Sequence, residues 1–236
     1  MRNPKQKGSK IYDCRPQTGK CQRECNQCFY NHNFYEDIEK PKIPIKIPKG
    51  CIVRMNAGHD SNLHKDLVLM TAKKYKDVFF NTSLINFEFP GPVVFTANPN
   101  EEKEVRLVRI DLENLMFVRL RVSATNLDHI YNGVEHYCDT YKIPVILTYM
   151  NYYDVSKIPN SGVHIYEQKT HVTNTYYSPN EQFKKDTLKV MKTIGGRLVH
   201  NCGSSISNLC KDCNLCYYYY FLTKRHMEDS SGEKTS

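Results

Sequence analysis

Tryptophan is absent from the 236-residue chain, whereas tyrosine occurs 17 times. An A/T-rich coding bias would be enough to produce that imbalance together with the abundance of Lys and Asn, so neither is assigned a function. No apolar run approaches the roughly 18 residues of a membrane span, which excludes a spanning helix. The basic start, Met1 to Lys10, has no apolar h-region and so does not read as a secretory signal. A P-loop, a G-x-G-x-x-G turn after a strand and a Ser/His/Asp order are also missing, which removes the usual nucleotide cradles and acyl-transfer triads. The expected compartment is the cytoplasm. Acidic residues do not balance basic ones. Lys and Arg number 33 against 25 Asp and Glu, a net charge of +8. That surplus permits an anionic partner such as nucleic acid or a nucleotide, although lysines scattered as at Lys40, Lys42, Lys46 and Lys49 read as a solvated face.

What is present in excess is cysteine, ten residues in all. In a reducing compartment, clustered cysteines read as metal or redox sites. Eight fall in two groups: Cys14, Cys21, Cys25 and Cys28, then Cys202, Cys210, Cys213 and Cys216. Cys51 and Cys138 stand alone and read as core residues. Cys21, Cys25 and Cys28 are spaced C-x3-C-x2-C, a loop tight enough to turn three sulfurs to one point. Three converging thiolates suit zinc or an iron–sulfur cluster. A [4Fe–4S] cube held by three cysteines keeps one iron open for chemistry, by the logic that separates catalytic from structural zinc. With Cys14 as a fourth ligand the same loop reads as structural zinc. The second group, C-x7-C-x2-C-x2-C, resembles the ferredoxin run without its final Cys-Pro. It suits an auxiliary [4Fe–4S] cluster or a structural zinc knuckle.

C-x3-C-x2-C followed by the aromatic pair Phe29–Tyr30 resembles the signature of the radical S-adenosylmethionine (radical SAM) enzymes. Gln27 stands where that family commonly has an aromatic. The resemblance implies that Cys21, Cys25 and Cys28 hold a [4Fe–4S] cluster whose open iron chelates SAM. The reduced cluster would then cleave SAM to a 5′-deoxyadenosyl radical, with electrons from a flavodoxin- or ferredoxin-type donor.

Beyond Gly50, strand and helix patterns alternate. Strands are expected at Ile11–Cys14, Cys51–Met55, Val78–Thr82, Pro92–Thr96, Phe117–Ser123, Pro144–Tyr149, Val163–Tyr166 and Arg197–His200. Helices are expected at Leu63–Tyr75, Asn126–Tyr141 and Glu181–Thr193. The pattern predicts an α/β fold with a parallel sheet, and the length favours a partial, open (β/α)6-like barrel with a cysteine-rich metal-binding extension. The expected segments are a disordered basic 1–10, an α/β core over 11–200, the cysteine-rich segment 201–222 and a polar tail 223–236.

Polar residues at strand C-termini are the remaining candidates. The resemblance implies that Gly58 and Asp60 stand in for a Gly-Gly-Glu-like SAM-binding turn; Asp60 or Ser61 reads equally as a helix N-cap. Ser123 ends a strand similar to the family's ribose- and carboxylate-binding strand, and Arg121 could pair with the SAM carboxylate. Alternatively, Arg119 and Arg121 face solvent opposite Val118, Leu120 and Val122. Asn98 and Asn151 are further strand-end polars. The reading that follows is a radical SAM enzyme acting on an unknown substrate, which the basic surplus permits to be anionic or nucleic acid. The competing reading is a non-catalytic zinc protein with two four-cysteine sites that binds nucleic acid.

Overall fold

The computed structural model describes residues 6, 8–28, 38–100, 104–109, 113–171, 174–203 and 209–232. Phe29 and Tyr30, and most of the segment expected to be disordered at 1–10, lie outside these residues.

Short apolar runs form the strands. β1 (Ile11–Cys14), β2 (Ile52–Met55), β3 (Val78–Thr82), β4 (Val93–Thr96), β5 (Leu115–Val122) and β6 (Val145–Tyr149) are joined by a last strand at Val199–Asn201. Between β6 and that last strand lie β7 (Tyr166–His171) and β8 (Asn174–Pro179), so the last strand is β9. The seven-stranded sheet runs β1-β2-β3-β4-β5-β6-β9, and every pairing is parallel. The fold is therefore α/β with a parallel sheet. Its order follows the sequence throughout, as when each connection advances in one direction.

A parallel sheet must be covered on both faces. Alternation assigns the faces. Val53, Met55, Phe80, Phe95, Val118, Leu120, Val145 and Leu147 point to the outer face. There they meet α1 (Lys65–Ala72), α2 (Leu127–Val134) and α3 (Glu181–Met191) through Val68, Ala72, Ile130, Val134 and Met191. Gly133 permits the close approach of α2: a Cβ there would lie 2.8 Å from Val105 and 3.1 Å from Leu120. The inner face presents Ile11, Ile52, Phe79, Val94, Phe117 and Ile146.

That inner face is covered by the C-terminal helix. A one-turn helix α4 (Cys210–Cys213) leads into α5 (Leu215–Gly232), and Tyr219 and Tyr220 pack onto the inner apolar layer. Ring centroids are 5.9 Å apart for Phe117–Tyr219 and 6.4 Å for Phe79–Tyr220. The run Tyr217–Tyr220 is thus a turn of a long helix, and the segment expected as a polar tail is helical as far as Gly232.

The expected strand at Val163–Tyr166 is also corrected. Asn160–Ile165 is a 3-10 helix, and Tyr166 opens the antiparallel β7–β8 hairpin. Gly162 packs so close to Ala124 that an added Cβ would lie 2.3 Å from the alanine Cβ. The contact holds this excursion against the segment that follows β5.

Asp77, just before β3, accepts hydrogen bonds from Tyr220 Oη at 3.1 Å and Lys224 Nζ at 2.8 Å. Burial raises its pKa, but Lys224 and Tyr220 outweigh burial and hold the carboxyl below its usual range. The contact therefore stabilises the fold in full above the unfolded value of about 3.9 and loses that contribution as pH falls through the folded pKa. Tyr220→Ala should cost about 3 kcal/mol in urea unfolding, and Asp77→Asn should flatten the loss of stability below about pH 4.

Candidate metal centres on the inner face of the sheet

The first cysteine loop is closed at its neck. Arg15 and Lys42 exchange both backbone hydrogen bonds, at 2.7 and 2.8 Å. The buried Arg15 guanidinium donates to the carbonyls of Gln17 at 2.7 Å, Ile38 at 3.2 Å and Lys40 at 2.8 Å. It thereby ties the two ends of the excursion together. Gln17 Nε2 donates to Leu63 O at 2.8 Å, and His59 Nε2 donates to Gly19 O at 3.0 Å.

Within the loop, Glu24 N donates to Cys21 O and Cys28 N to Cys25 O, each at 3.2 Å. These two successive turns carry left-handed residues at Glu24 and Gln27, a conformation non-glycine residues adopt at a cost. The loop is latched to three strand ends. Asn26 N donates to Asn100 Oδ1 at 2.9 Å, beyond β4. Arg121 Nη1, on β5, donates to Asn26 O at 3.2 Å and to Pro99 O. Gln27 Oε1 accepts from Tyr153 N at 3.5 Å, beyond β6.

The three thiols lie within electrostatic reach of one another. Burial pushes the Cys21 thiol up, while backbone N–H groups of Arg23 and Asp60 oppose it. Burial pushes Cys25 up to about 11; Cys28 adds to the rise and Arg121 opposes it. Cys14 is not part of this group. Its side chain belongs to the outer core, with Sγ 3.7 Å from Tyr75 Oη and its thiol pushed up to about 11 by burial. This position removes the proposed fourth zinc ligand.

The strand-end candidates divide. Asp60 is saturated: Oδ1 accepts from Asn62 N and Thr82 Oγ1, and Oδ2 from Ser83 N and Ser83 Oγ, at 2.6–3.0 Å. It pins the turn containing Gly58 to the end of β3. Asn98 pairs with the backbone of Arg121 like an added rung, with both hydrogen bonds at 2.7 Å. Ser123 N is likewise engaged, donating to Asn126 Oδ1 at 2.8 Å. Asn151 is half-buried just past β6. In contrast, among the described residues Asn56 Oδ1 and Asn81 Oδ1 are buried acceptors without a donor, at the ends of β2 and β3. Arg121 reaches the cysteine loop rather than solvent.

The second group collects at the opening of α5. Cys202 follows β9, with its N–H donating to Leu147 O at 2.8 Å. Cys210 and Cys213 bound α4, and Cys216 lies in the first turn of α5. Burial pushes Cys216 up to about 12; Arg54 and Arg119 oppose the rise, and Cys202 and Cys210 add to it. Burial likewise raises Cys210, and Cys202 and Cys213 add to that rise. All four thiols therefore share one neighbourhood. An open cavity of 340 Å³ adjoins it, lined by Lys184, Lys185, His200, Cys202 and Cys213 among others.

Among the described residues, no three His, Cys, Asp or Glu side chains converge tightly enough to hold one ion as they stand. Arg15 and Arg54 were the residues that sequence reasoning missed, and Arg119, which it read as facing solvent, lies on the inner face of the sheet. Strand alternation alone would have aligned Arg54 and Arg119 with the inner residues Ile52 and Phe117.

Comparison with protein-family models, with curated proteins and with solved structures finds no match.

The two kinds of cysteine should separate experimentally. Cys14→Ala should keep the parent metal content and lose about 1 kcal/mol in chemical denaturation. Cys25→Ala should lose metal from the first centre and keep most of the stability of the metal-free protein.

Proposed function

We propose that the chain is a radical SAM enzyme built on a partial (β/α)6-like barrel. The observation that carries this reading is the placement of the three-cysteine loop. It is latched to residues at the C-terminal ends of β4, β5 and β6, the edge where parallel α/β folds keep their sites. Cys21, Cys25 and Cys28 would hold a [4Fe–4S] cluster, and Cys202, Cys210, Cys213 and Cys216 an auxiliary one. Such a cluster, with SAM bound, would supply the radical chemistry.

The chain's own residues bind, orient and shield. N–H groups of Arg23 and Asp60 stabilise the Cys21 thiolate, as hydrogen bonds to a charged form do. Arg121 adds positive charge beside Cys25 and fixes the loop through Asn26. The unsatisfied oxygens of Asn56 and Asn81 suit a donor such as the SAM amino group, since a buried acceptor left unpaired costs about 1–3 kcal/mol. That task moves from Asp60 to its neighbours, because the Asp60 carboxylate is already saturated. The partners are an electron donor of flavodoxin or ferredoxin type and a substrate that the basic surplus allows to be anionic. Among the described residues no helix is long and apolar enough to cross a membrane.

Protein purified without oxygen should be brown and carry about eight iron per chain if both centres are clusters. Given SAM and a reductant it should release 5′-deoxyadenosine, and Cys25→Ala should abolish that release. A colourless protein with about two zinc per chain would overturn the proposal in favour of the zinc reading.

A further inference from the structure

Lysines that look scattered in the sequence are gathered by the fold. Residues 40–50 contain Lys40, Lys42, Lys46 and Lys49, and residues 73–76 contain Lys73, Lys74 and Lys76; neither run holds an Asp or a Glu. Together the two runs carry +7 of the chain's net +8, which leaves +1 for everything else. The basic surplus is therefore a local property and not a general one.

One contact joins the two runs. Tyr75 Oη donates to Pro44 O at 2.9 Å. Ile43, Ile47 and Tyr75 pack against the outer core, while Lys46, Lys49, Lys73, Lys74 and Lys76 are exposed. The first run starts where Lys42 pairs with Arg15, at the neck of the first cysteine loop, and ends just before β2. It thus passes from the C-terminal to the N-terminal edge of the sheet beside the edge strand β1. From Lys42 to Lys49 it spans at most about 25 Å, the length of about seven base pairs of duplex. The second run follows α1 and leads into β3.

Among the described residues no carboxylate lies within ion-pair distance of Lys46, Lys49, Lys73, Lys74 or Lys76. Glu39 bounds the first run and Asp77 the second, but Asp77 is engaged by Lys224 at 2.8 Å. Like charges held together on one surface repel each other, and a polyanion relieves that repulsion.

The residue types select among polyanions. Protein interfaces are poor in Lys and are anchored by aromatic residues, Met and Arg. Here every cation is Lys, and the large apolar side chain exposed among them is Ile45. Lysine is a compact point charge that meets a phosphate without demanding a fixed geometry, and phosphate contacts position a protein without reading bases. Single strands are held largely by stacking on aromatic rings, whereas Tyr75 is half-buried and its hydroxyl is engaged. We infer that this patch docks the phosphate backbone of a nucleic-acid duplex, independently of its sequence. The docking needs no metal at either cysteine group.

The test titrates the full-length protein against a fluorescently labelled DNA duplex of arbitrary sequence and measures Kd at several salt concentrations. If the five exposed lysines each displace a counterion, the log–log slope of affinity against salt should be about −4.5, a loss of roughly 500-fold between 50 and 200 mM. Lys73/Lys74/Lys76→Gln should make the slope shallower by about 2.7, and Lys46/Lys49→Gln by about 1.8. Lys157/Lys189/Lys192→Gln removes three charges from exposed positions elsewhere and should keep the parent slope. Urea unfolding of each variant separates lost binding from lost fold, and the two patch variants report independently. A parent that does not bind the duplex at 50 mM salt, or folded patch variants with the parent slope, would overturn the inference. So would an equal loss in Lys157/Lys189/Lys192→Gln, the mark of net charge alone, or equal affinity for polyglutamate, the mark of an acidic protein partner.

Discussion

The structure depends on the need of a parallel sheet to bury both of its faces. Helices α1, α2 and α3 meet that need on the outer face in the ordinary way, by packing apolar stripes on apolar strands. Among the described residues the inner face has one covering helix, α5, whose apolar contact extends as far as Tyr219, Tyr220 and their immediate neighbours. Beyond that layer the inner face turns charged, with Asp13, Arg54, Arg119 and Arg121. Those groups cannot be left against a hydrocarbon surface. The cysteine segments take the place that apolar helices would otherwise occupy, so the candidate chemistry arises where the apolar core gives out.

This division explains which features the sequence revealed. Strands such as Val78–Thr82 and Val145–Tyr149 are continuous apolar runs bounded by turn residues, and the structure keeps them. The helix at Glu181–Met191 carries its start signal plainly, for Asn180 Oδ1 accepts from Phe183 N at 2.8 Å. The β7–β8 hairpin was hidden because its strands, Tyr-Glu-Gln-Lys-Thr-His and Asn-Thr-Tyr-Tyr-Ser-Pro, bury little and lack the apolar run of a core strand. α5 was hidden for a related reason. Its tyrosines are contiguous rather than spaced at helical intervals, so no amphipathic stripe announces the helix. Only the docking of Tyr219 and Tyr220 on the inner face gives it a side.

The cysteine groups were legible as groups, but their members were not all correctly weighed. Cys14 lies seven residues before Cys21 and could not be separated from it by spacing. Strand alternation settles the matter, because Cys14 points to the outer core beside Tyr75. Arg119 and Arg121 posed the converse problem. An arginine alternating with Val118, Leu120 and Val122 reads as a solvent-facing residue when only one sheet face is assumed to be covered. Here the second face is also interior, so the same alternation delivers two guanidiniums to the cysteine segments. Asp60 shows a third kind of ambiguity. A carboxylate in a strand-to-helix turn suits a ligand or a brace, and only the count of its hydrogen bonds decides for the brace.

β5 is the axis along which these assignments are ordered. On its inner side Phe117 meets Tyr219, Arg119 faces the second cysteine group, and Arg121 grips the loop of the first. Each step is two residues, about 6.6 Å, so the two groups are neighbours stacked along one strand. A slip of one residue in this strand would exchange its faces, sending both arginines into the apolar outer core and Val118 and Leu120 to the thiols. The register is held from both sides. Five consecutive pairs join β5 to β6, and β4 pairs with β5 through a single irregularity at Val93 and Val94. Asn98 then extends the β4 side with two side-chain hydrogen bonds to the backbone of Arg121. The buried Asn98 thus acts on the candidate site without offering it a ligand atom: it fixes the position of Arg121, and through Arg121 the loop that carries Cys25.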